Sequence, residues 1–408
     1  MRRASEILFC FFVWLCCMPF VSTMAQTSLP AGAERTDYVS ASLLIASPGP
    51  SFASCYGHAA LRMQCPSQKM DYCFTYEMAE STHPFIDFIS GKGRCGLLAI
   101  PTSHYLSVFE HEARGVMQYD LLLTPGEESR LWQLLDSYVE KGLYLPLDLM
   151  HHSCAQECAA LVVAALDNRT LQYVHRSPTE TPSLRTLGWT ACPQQSWQQL
   201  SIALIVGQEG NQQPRTQEEA LLTPELLKQA FRQATLVDTS GRKQPLLSAS
   251  PQELLPIEAP QVAPTLGPLP IACFVLLWCI VVSLMQWRCG RNKGFYGLAL
   301  CTDAALLLLH AILTLALLYL HWCSTLPGTS CNPYLLVFSP LPWLVWWLLG
   351  YGKTSVRKKS VWAAIWAGWM AAFIVWCACT SCHDYALWLL IAAMALRCAI
   401  HSHKQAKS

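Results

Sequence analysis

The sequence predicts an α+β domain carried outside a membrane, followed by an all-α domain of five transmembrane helices. Three observations carry that prediction. Of 408 residues, 52% are apolar and only 13% charged, too greasy for a soluble chain of this length. The apolar residues are unevenly spread: mixed, turn-rich sequence runs from Asp37 to about Ser250, and five apolar segments follow it. The amino terminus is basic and then apolar. A formal charge of +1, from 28 Lys and Arg against 27 Asp and Glu, leaves no surplus to neutralise a polynucleotide, so nucleic acid is not an expected partner.

Met1-Arg2-Arg3, the apolar run from Ile7 to Val21 and the small-residue end Thr23-Met24-Ala25 read as a signal peptide over 1–25, with cleavage after Ala25. An uncleaved anchor is the alternative. Either way the stretch 26–245 is expected to be exported. Pro245, Pro251, Pro256, Pro260, Pro264, Pro268 and Pro270 recur with little between them that can pack, which predicts an extended linker over 246–270. In the following domain, 271–408, apolar segments fall near 271–287, 296–320, 334–350, 361–379 and 385–400, each approaching the roughly 20 residues that cross a hydrocarbon core. Arg288, Arg291 and Lys293 follow the first, Lys353, Arg357, Lys358 and Lys359 the third, and Arg397, Lys404 and Lys407 the fifth; the other two loops carry no Lys or Arg. Basic residues collect on the cytoplasmic side, so odd-numbered spans and the carboxy terminus face inward and the N-terminal domain faces out. Trp287, Trp322, Trp343, Trp346, Trp347 and Trp362 sit near span ends, as interfacial aromatics do.

Cysteine usage divides by compartment. Of 20 cysteines, Cys10, Cys16 and Cys17 belong to the signal peptide and those from Cys273 onward lie in or beside the spans. Cys55, Cys65, Cys73, Cys95, Cys154, Cys158 and Cys192 remain in the exported domain, an odd set in an oxidising compartment. Cys65 with Cys73 could bridge a hairpin, and Cys323 with Cys331 could pair in the outward loop between spans two and three.

A strand pattern covers Tyr38 to Ala46, a Pro-Gly-Pro turn follows at 48–50, and alternation resumes after His58, which stands at the start of the next strand. Roughly a hundred residues later, Cys154 opens a helix running through Leu166. A cysteine there feels the unsatisfied N–H groups and the macrodipole, which favour a thiolate, and the same N–H groups can hold an oxyanion. His58 is the best-placed base for it. The alternative is that Cys154 is a packed small hydrophobe.

The segments Tyr56-Gly57-His58-Ala59-Ala60-Leu61-Arg62, Phe85 to Lys92, Ala113-Arg114 before Gln118 to Pro125, the Cys154 helix, Leu204 to Gly207 and Glu218 to Leu227 resemble, in order and spacing, the Lnb N-terminal periplasmic domain family. The membrane half is similar to that family's five-helix partner domain, with Cys323 to Asn332, Leu335-Leu336 and Pro340-Leu341-Pro342 matching its outward loop and third span. A histidine strand ahead of a cysteine helix is also similar to circularly permuted papain-like proteins such as lecithin retinol acyltransferase. The resemblance implies a permuted papain-like α+β fold in the periplasm of a bacterial cell, anchored in the inner membrane. It implies Cys154 as nucleophile and His58 as base, with Thr75 or Glu77 on the next strand orienting the ring. Two positions depart from the pattern: His152-Ser153 stands where Asp-Asn is usual, and Thr75 where an Asn is usual.

The expected function is therefore a membrane-anchored thiol hydrolase or acyltransferase acting on an amide, ester or thioester of the cell envelope. Its partners would be the lipid bilayer and an envelope lipid, peptide or protein substrate. The alternative is a non-catalytic accessory or assembly protein that uses the same cleft for binding. No cofactor or metal is expected. His151, His152, Cys154 and Cys158 suggest zinc only weakly, because a second CxxC or HxxxH is missing. Gly207-Gln208-Glu209-Gly210 lacks the strand, helix and third glycine of a dinucleotide loop and reads as a turn, so no nucleotide is expected. Glu110, His111 and Glu112 read as the solvated face of a helix from Ser103 to Arg114, and Glu127 and Glu128 as the acidic first turn of a helix from Pro125 to Lys141. Asp303 and His310, two turns apart in the second span, read as helix-packing groups, and spans with so few polar residues do not suggest a transporter.

Overall fold

Among the described residues, apolar alternation builds ten strands: β1 (Ser40–Ala46), β2 (His58–Cys65), β3 (Met70–Met78), β4 (Arg94–Pro101), β5 (Val116–Asp120), β6 (Tyr144–Pro146), β7 (Arg169–Gln172), β8 (Thr235–Asp238), β9 (Lys243–Pro245) and β10 (Gln252–Leu255). Interleaved are α1 (Pro84–Ser90), α2 (Thr102–His111), α3 (Pro125–Lys141), α4 (Cys154–Ala165), α5 (Leu184–Ala191), α6 (Trp197–Ile205) and α7 (Pro224–Gln233). The computed structural model describes residues 39–49, 51, 54–148, 150–174, 182–192, 196–256, 266–288, 293–349, 353–380 and 384–407. The expected signal peptide and the middle of the expected linker lie outside the described residues.

The main sheet is antiparallel, ordered β10-β5-β1-β2-β3-β4-β6, and β7-β8-β9 form a second small one. Both faces of the main sheet are covered, which is why β1 is apolar almost throughout instead of alternating. On one face Leu43, Leu61, Met63 and Phe74 pack with Leu131, Leu135, Leu161, Val162, Leu227 and Phe231 from the helices. On the other, Leu44, Ala60, Cys73 and Val116 pack with Tyr105 and Phe109 of α2. Arg62 donates from Nε to Asp71 Oδ1 (2.8 Å) and from Nη1 to Gln118 Oε1 (2.6 Å), and Thr102 donates to the same carboxylate (2.6 Å).

Sequence chemistry sets the helix ends. Thr124 caps α3 in a reciprocal box with Glu127, Pro125 occupies the first turn, and Gly142 ends the helix in the left-handed region at φ 54°. The helix expected over Ser103 to Arg114 stops at His111 because Ala113 turns to φ 53°. The linker expected over 246–270 is corrected at its start. Leu246 and Leu247 are buried in the core, and β10 pairs with β5 at the sheet edge, where flanking prolines cost no ladder bond. A Cys65–Cys73 bridge is excluded by register: Cys65 pairs with Met70 and Cys73 with Arg62, and the two thiols serve opposite faces.

The helical half comprises α8 (Pro268–Arg288), α9 (Lys293–Trp322), α10 (Leu341–Leu348), α11 (Lys353–Ala378) and α12 (Tyr385–Lys407). Among the described residues, three of these (α8, α9 and α11) are long and apolar enough to cross a membrane; α10 and the apolar part of α12, Tyr385–Ile400, are shorter. The third expected span is interrupted: a 3₁₀ turn, Pro333–Leu336, precedes Pro340 and Pro342 at the start of α10. Arg397, expected in a loop, is instead buried in the bundle. It clamps Asp303 from Nε (2.7 Å) and Nη2 (3.0 Å) and donates to Ser283 from Nη1 (2.9 Å), joining α12, α9 and α8. His310 donates from Nε2 to the Val337 carbonyl (3.1 Å) and accepts from Trp343 Nε1 at Nδ1 (3.0 Å).

The two halves meet along the loop 323–332 that follows α9. Asn332 directs its side-chain amide at the carbonyls of Ala203 (3.0 Å), Leu204 (2.8 Å) and Val206 (2.9 Å) at the end of α6. Gly207 donates to the Gly328 carbonyl (2.6 Å) and Gln208 to that of Ser330 (3.0 Å). A Cβ on Gly207 would lie 1.8 Å from the Ser330 oxygen, so glycine is required there by contact. On the far side of the loop, Thr325 donates its N–H to the Ser90 carbonyl at the end of α1 (3.0 Å).

Candidate active site

The first turn of α4 is fixed before any chemistry is considered. Asp148 accepts from the N–H groups of Met150 (2.8 Å) and His151 (3.1 Å), turning the chain toward the helix. Ser153 caps it and accepts from Gln156 N–H (3.2 Å), while Gln156 Oε1 returns the bond to Ser153 N–H (3.0 Å). The Gln156 amide also donates to the carbonyls of Met150 (2.8 Å) and Glu219 (3.1 Å), fastening the turn. Cys154 thus begins a held helix rather than a frayed one.

His58 is the first residue of β2, delivered by a turn in which Gly57 takes φ +82° against the Ala46 carbonyl. The Cys154 sulfur stands beside the His58 ring and the Ala59 N–H, and both act on its ionisation. Burial opposes charge on the sulfur, but the His58 ring, through its charge and its hydrogen bond, together with the Ala59 N–H, holds the Cys154 thiol below its usual value. Burial likewise opposes the imidazolium, yet the Cys154 sulfur and then Glu77 raise His58 to about 9, against the charge of Arg114.

The ring's other contacts order it. Nε2 lies 2.5 Å from Thr75 Oγ1, and that hydroxyl donates to Glu77 Oε1 (3.0 Å), which is itself 3.4 Å from Nε2. A hydroxyl has one proton, and here it goes to Glu77; Thr75 therefore accepts from His58, and Nε2 carries a hydrogen. Nδ1 is left to serve the sulfur. Thr75 is fully buried, whereas the Glu77 side chain is 42% exposed. Phe109 stacks at 6.3 Å between ring centroids and Tyr105 lies at 6.4 Å, walling the imidazole on the α2 side. Arg114 sits over Phe109 at 4.7 Å.

All four residues singled out from the sequence, Cys154, His58, Thr75 and Glu77, are thus brought into one chain of contacts. Sequence reasoning missed the Ala59 N–H, for which no side-chain signal exists, and the aromatic wall, whose signal was the spacing of Tyr105 and Phe109 on one helical face. The histidines of the zinc alternative are engaged elsewhere: His151 Nδ1 lies 3.1 Å from Asp148, and His152 Nδ1 lies 2.6 Å from Glu157. Among the described residues no group of three His, Cys, Asp or Glu is placed to hold a metal. Burial holds Cys158, one turn on, well above its usual value, so it stays a thiol. The cavity between Trp189 and Gln199 on one side and Leu269 and Tyr385 on the other is lined by none of these residues.

Residues 261–408 match the family model of the Lnb transmembrane domain. With helices able to span a membrane in that stretch, the carboxy-terminal half is a helical membrane domain and the protein's environment includes a lipid bilayer. No curated protein and no solved structure matches the chain.

Proposed function

We propose that the protein is a membrane-anchored cysteine acyltransferase or hydrolase, acting at the exported face of the bacterial inner membrane on an amide, ester or thioester of the envelope. One observation carries this reading: the Cys154 thiol, held below its usual value, stands beside a His58 ring that Thr75 and Glu77 orient. The order of the elements, a histidine strand before a cysteine helix on an antiparallel sheet, favours the permuted papain-like reading of the domain.

The steps follow from the geometry. The Cys154 thiolate adds to the substrate carbonyl carbon, and the oxyanion is received by N–H groups of the α4 first turn. Gln156 N–H and Glu157 N–H are taken by Ser153, so those of Cys154 and Ala155 fill the role. The tetrahedral intermediate expels an alcohol, amine or thiol that takes its proton from the His58 imidazolium, leaving a thioester on Cys154. Water or an amine then attacks the thioester and gives its proton back to His58.

The site's surroundings favour a lipid-linked substrate. Phe85 is 71% exposed and Ile86 54% exposed on α1, and the end of α1 is bonded to Thr325, three residues beyond the end of α9. Met78, next after Glu77, and Tyr144, against Gly96, are exposed at the same end of the sheet. Exposed apolar side chains thus stand on the helix bonded to the membrane loop and at the end of the strand that carries Glu77.

Full-length protein is incubated with envelope lipids and the Cys154 peptide is weighed by mass spectrometry. The reading expects a hydroxylamine-labile acyl adduct on Cys154 that is absent from His58→Ala. A Cys154 that stays unmodified and unreactive toward thiol-directed acyl probes would leave the accessory-protein alternative standing.

A further inference from the structure

Two other cysteines of the α/β region approach each other. The sulfurs of Cys55 and Cys192 are 3.7 Å apart, although 137 residues separate them in the chain. Both are buried, at 0% and 4% exposure, in a small core with Met150, Leu184, Leu187 and Ile202. The remaining thiols of the region are placed otherwise. Cys65 and Cys73 serve opposite faces of the sheet, Cys73 is bonded to Thr102, and Cys154 faces His58.

We propose that Cys55 and Cys192 are joined as a disulfide in the mature protein, and that Cys154 is among the five thiols of the region that this leaves reduced. The inference rests on the reading above in one respect, that the α/β region lies in an oxidising compartment. A bond length of about 2 Å asks the two side chains to close a short gap within a core that already brings them together. The oxidant is the disulfide of a thiol–disulfide exchange protein. Cys192 attacks one of its sulfurs as a thiolate and forms a mixed disulfide. Cys55 then gives up its proton to solvent and displaces the oxidant, which departs as a dithiol with the two electrons. Because both sulfurs are buried in the folded protein, the exchange belongs to folding and not to turnover.

The bond has a consequence for the site. Cys55 lies in the Ser54–Gly57 turn that delivers His58, closed by the Gly57 N–H to the Ser54 carbonyl (2.9 Å). Cys192 ends α5, where Arg185 donates to the carbonyl of Gly207 (2.9 Å), the residue that docks on Gly328. The disulfide would tie the turn ahead of the base to the segment leaning on the membrane loop.

The test traps thiols with acid in intact cells, alkylates the full-length protein in denaturant without reductant, and maps its peptides by mass spectrometry. The inference expects one cross-linked pair carrying Cys55 and Cys192, converted by reductant to two free peptides. It also expects the double variant Cys55→Ser/Cys192→Ser to melt roughly 5 °C or more below wild type. Recovery of Cys55 and Cys192 as alkylated thiols, or of either cross-linked to Cys154, would overturn it. Native alkylation of Cys154 in a parallel sample reports the catalytic reading separately. A Cys55–Cys192 bridge beside an inert Cys154 sinks that reading alone, and free Cys55 and Cys192 beside a reactive Cys154 sink this one alone.

Discussion

The proposed chemistry turns on two side chains whose charges would sustain each other. His58 is raised to about 9 by the Cys154 sulfur and Glu77, and Cys154 lies below its usual range chiefly because of His58. A rate set by the pair should rise with pH as Cys154 ionises below the ordinary thiol range, then fall as His58 loses its proton near 9. A raised histidine stabilises the fold below its unfolded value of about 6.5 and loses that contribution as pH climbs through the folded one. Thr75→Val removes the acceptor for Nε2 and the donor to Glu77, and is expected to lower kcat/KM by roughly tenfold to a hundredfold, with little change in melting temperature. A rate unaffected by the change would remove Thr75 from the positioning role. Glu128 behaves oppositely to a paired acid: burial first, and Glu127 beside it, push it up to about 7. The folded state therefore holds its proton more tightly, and the group costs stability increasingly as pH rises from about 4.3 through 7. Glu128→Gln should melt higher than wild type at pH 8 and equal to it near pH 4, which pH-resolved thermal scans can check. His58 and Cys154 were legible because each begins an element with a strong local pattern. The Ala59 N–H was not, since a backbone donor to sulfur is decided by how β2 and α4 meet.

Local signals worked best where the terminating residues are local. Thr124, Pro125, Glu127 and Gly142 mark both ends of α3 in sequence, and the helix obeys them. The role of Glu127 goes beyond its first turn: it is buried and paired with Arg169 of β7, which also donates to the Leu122 carbonyl (3.3 Å). Arg169→Leu leaves that carboxylate buried without its cation and is expected to cost about 3–5 kcal/mol, readable by thermal or denaturant unfolding. A loss below 1 kcal/mol would show that solvent reaches Glu127. β10 was hidden for the converse reason. Its strand residues are few, Pro251 and Pro256 flank them, and only pairing with β5 makes a strand of a stretch that reads as linker. The cysteines teach the same lesson. Sequence proximity suggested Cys65 with Cys73, whereas the register separates them, and the packing of the turn before β2 against the end of α5 brings Cys55 to Cys192 across 137 residues.

At the scale of the whole molecule, the site is held to the membrane domain by a loop contact that no local pattern announces. Gly207 read as part of an ordinary turn, and its need for glycine arises from the Ser330 carbonyl of a segment more than a hundred residues away. Gly207→Ala should separate the halves. Limited proteolysis near residue 207 is expected to become faster, while Cys154 alkylation in the α/β region persists; unchanged proteolysis would mean that the loop yields to the methyl group. Membrane helices were legible from hydropathy, but their partners were not: Asp303 meets Arg397, which the sequence reading counted with the basic residues following the fifth span. The account as a whole stands on an ionised sulfur kept ready beside the bilayer by one imidazole. The most direct measurement is the rate of Cys154 alkylation against pH in the full-length protein, resolved by mass spectrometry and compared with His58→Ala. The account expects a wild-type rate that climbs and levels off at lower pH than in the variant, whose rate climbs only at or above the ordinary thiol range near 8.5. Two superimposable curves, both following an ordinary buried thiol, would contradict it.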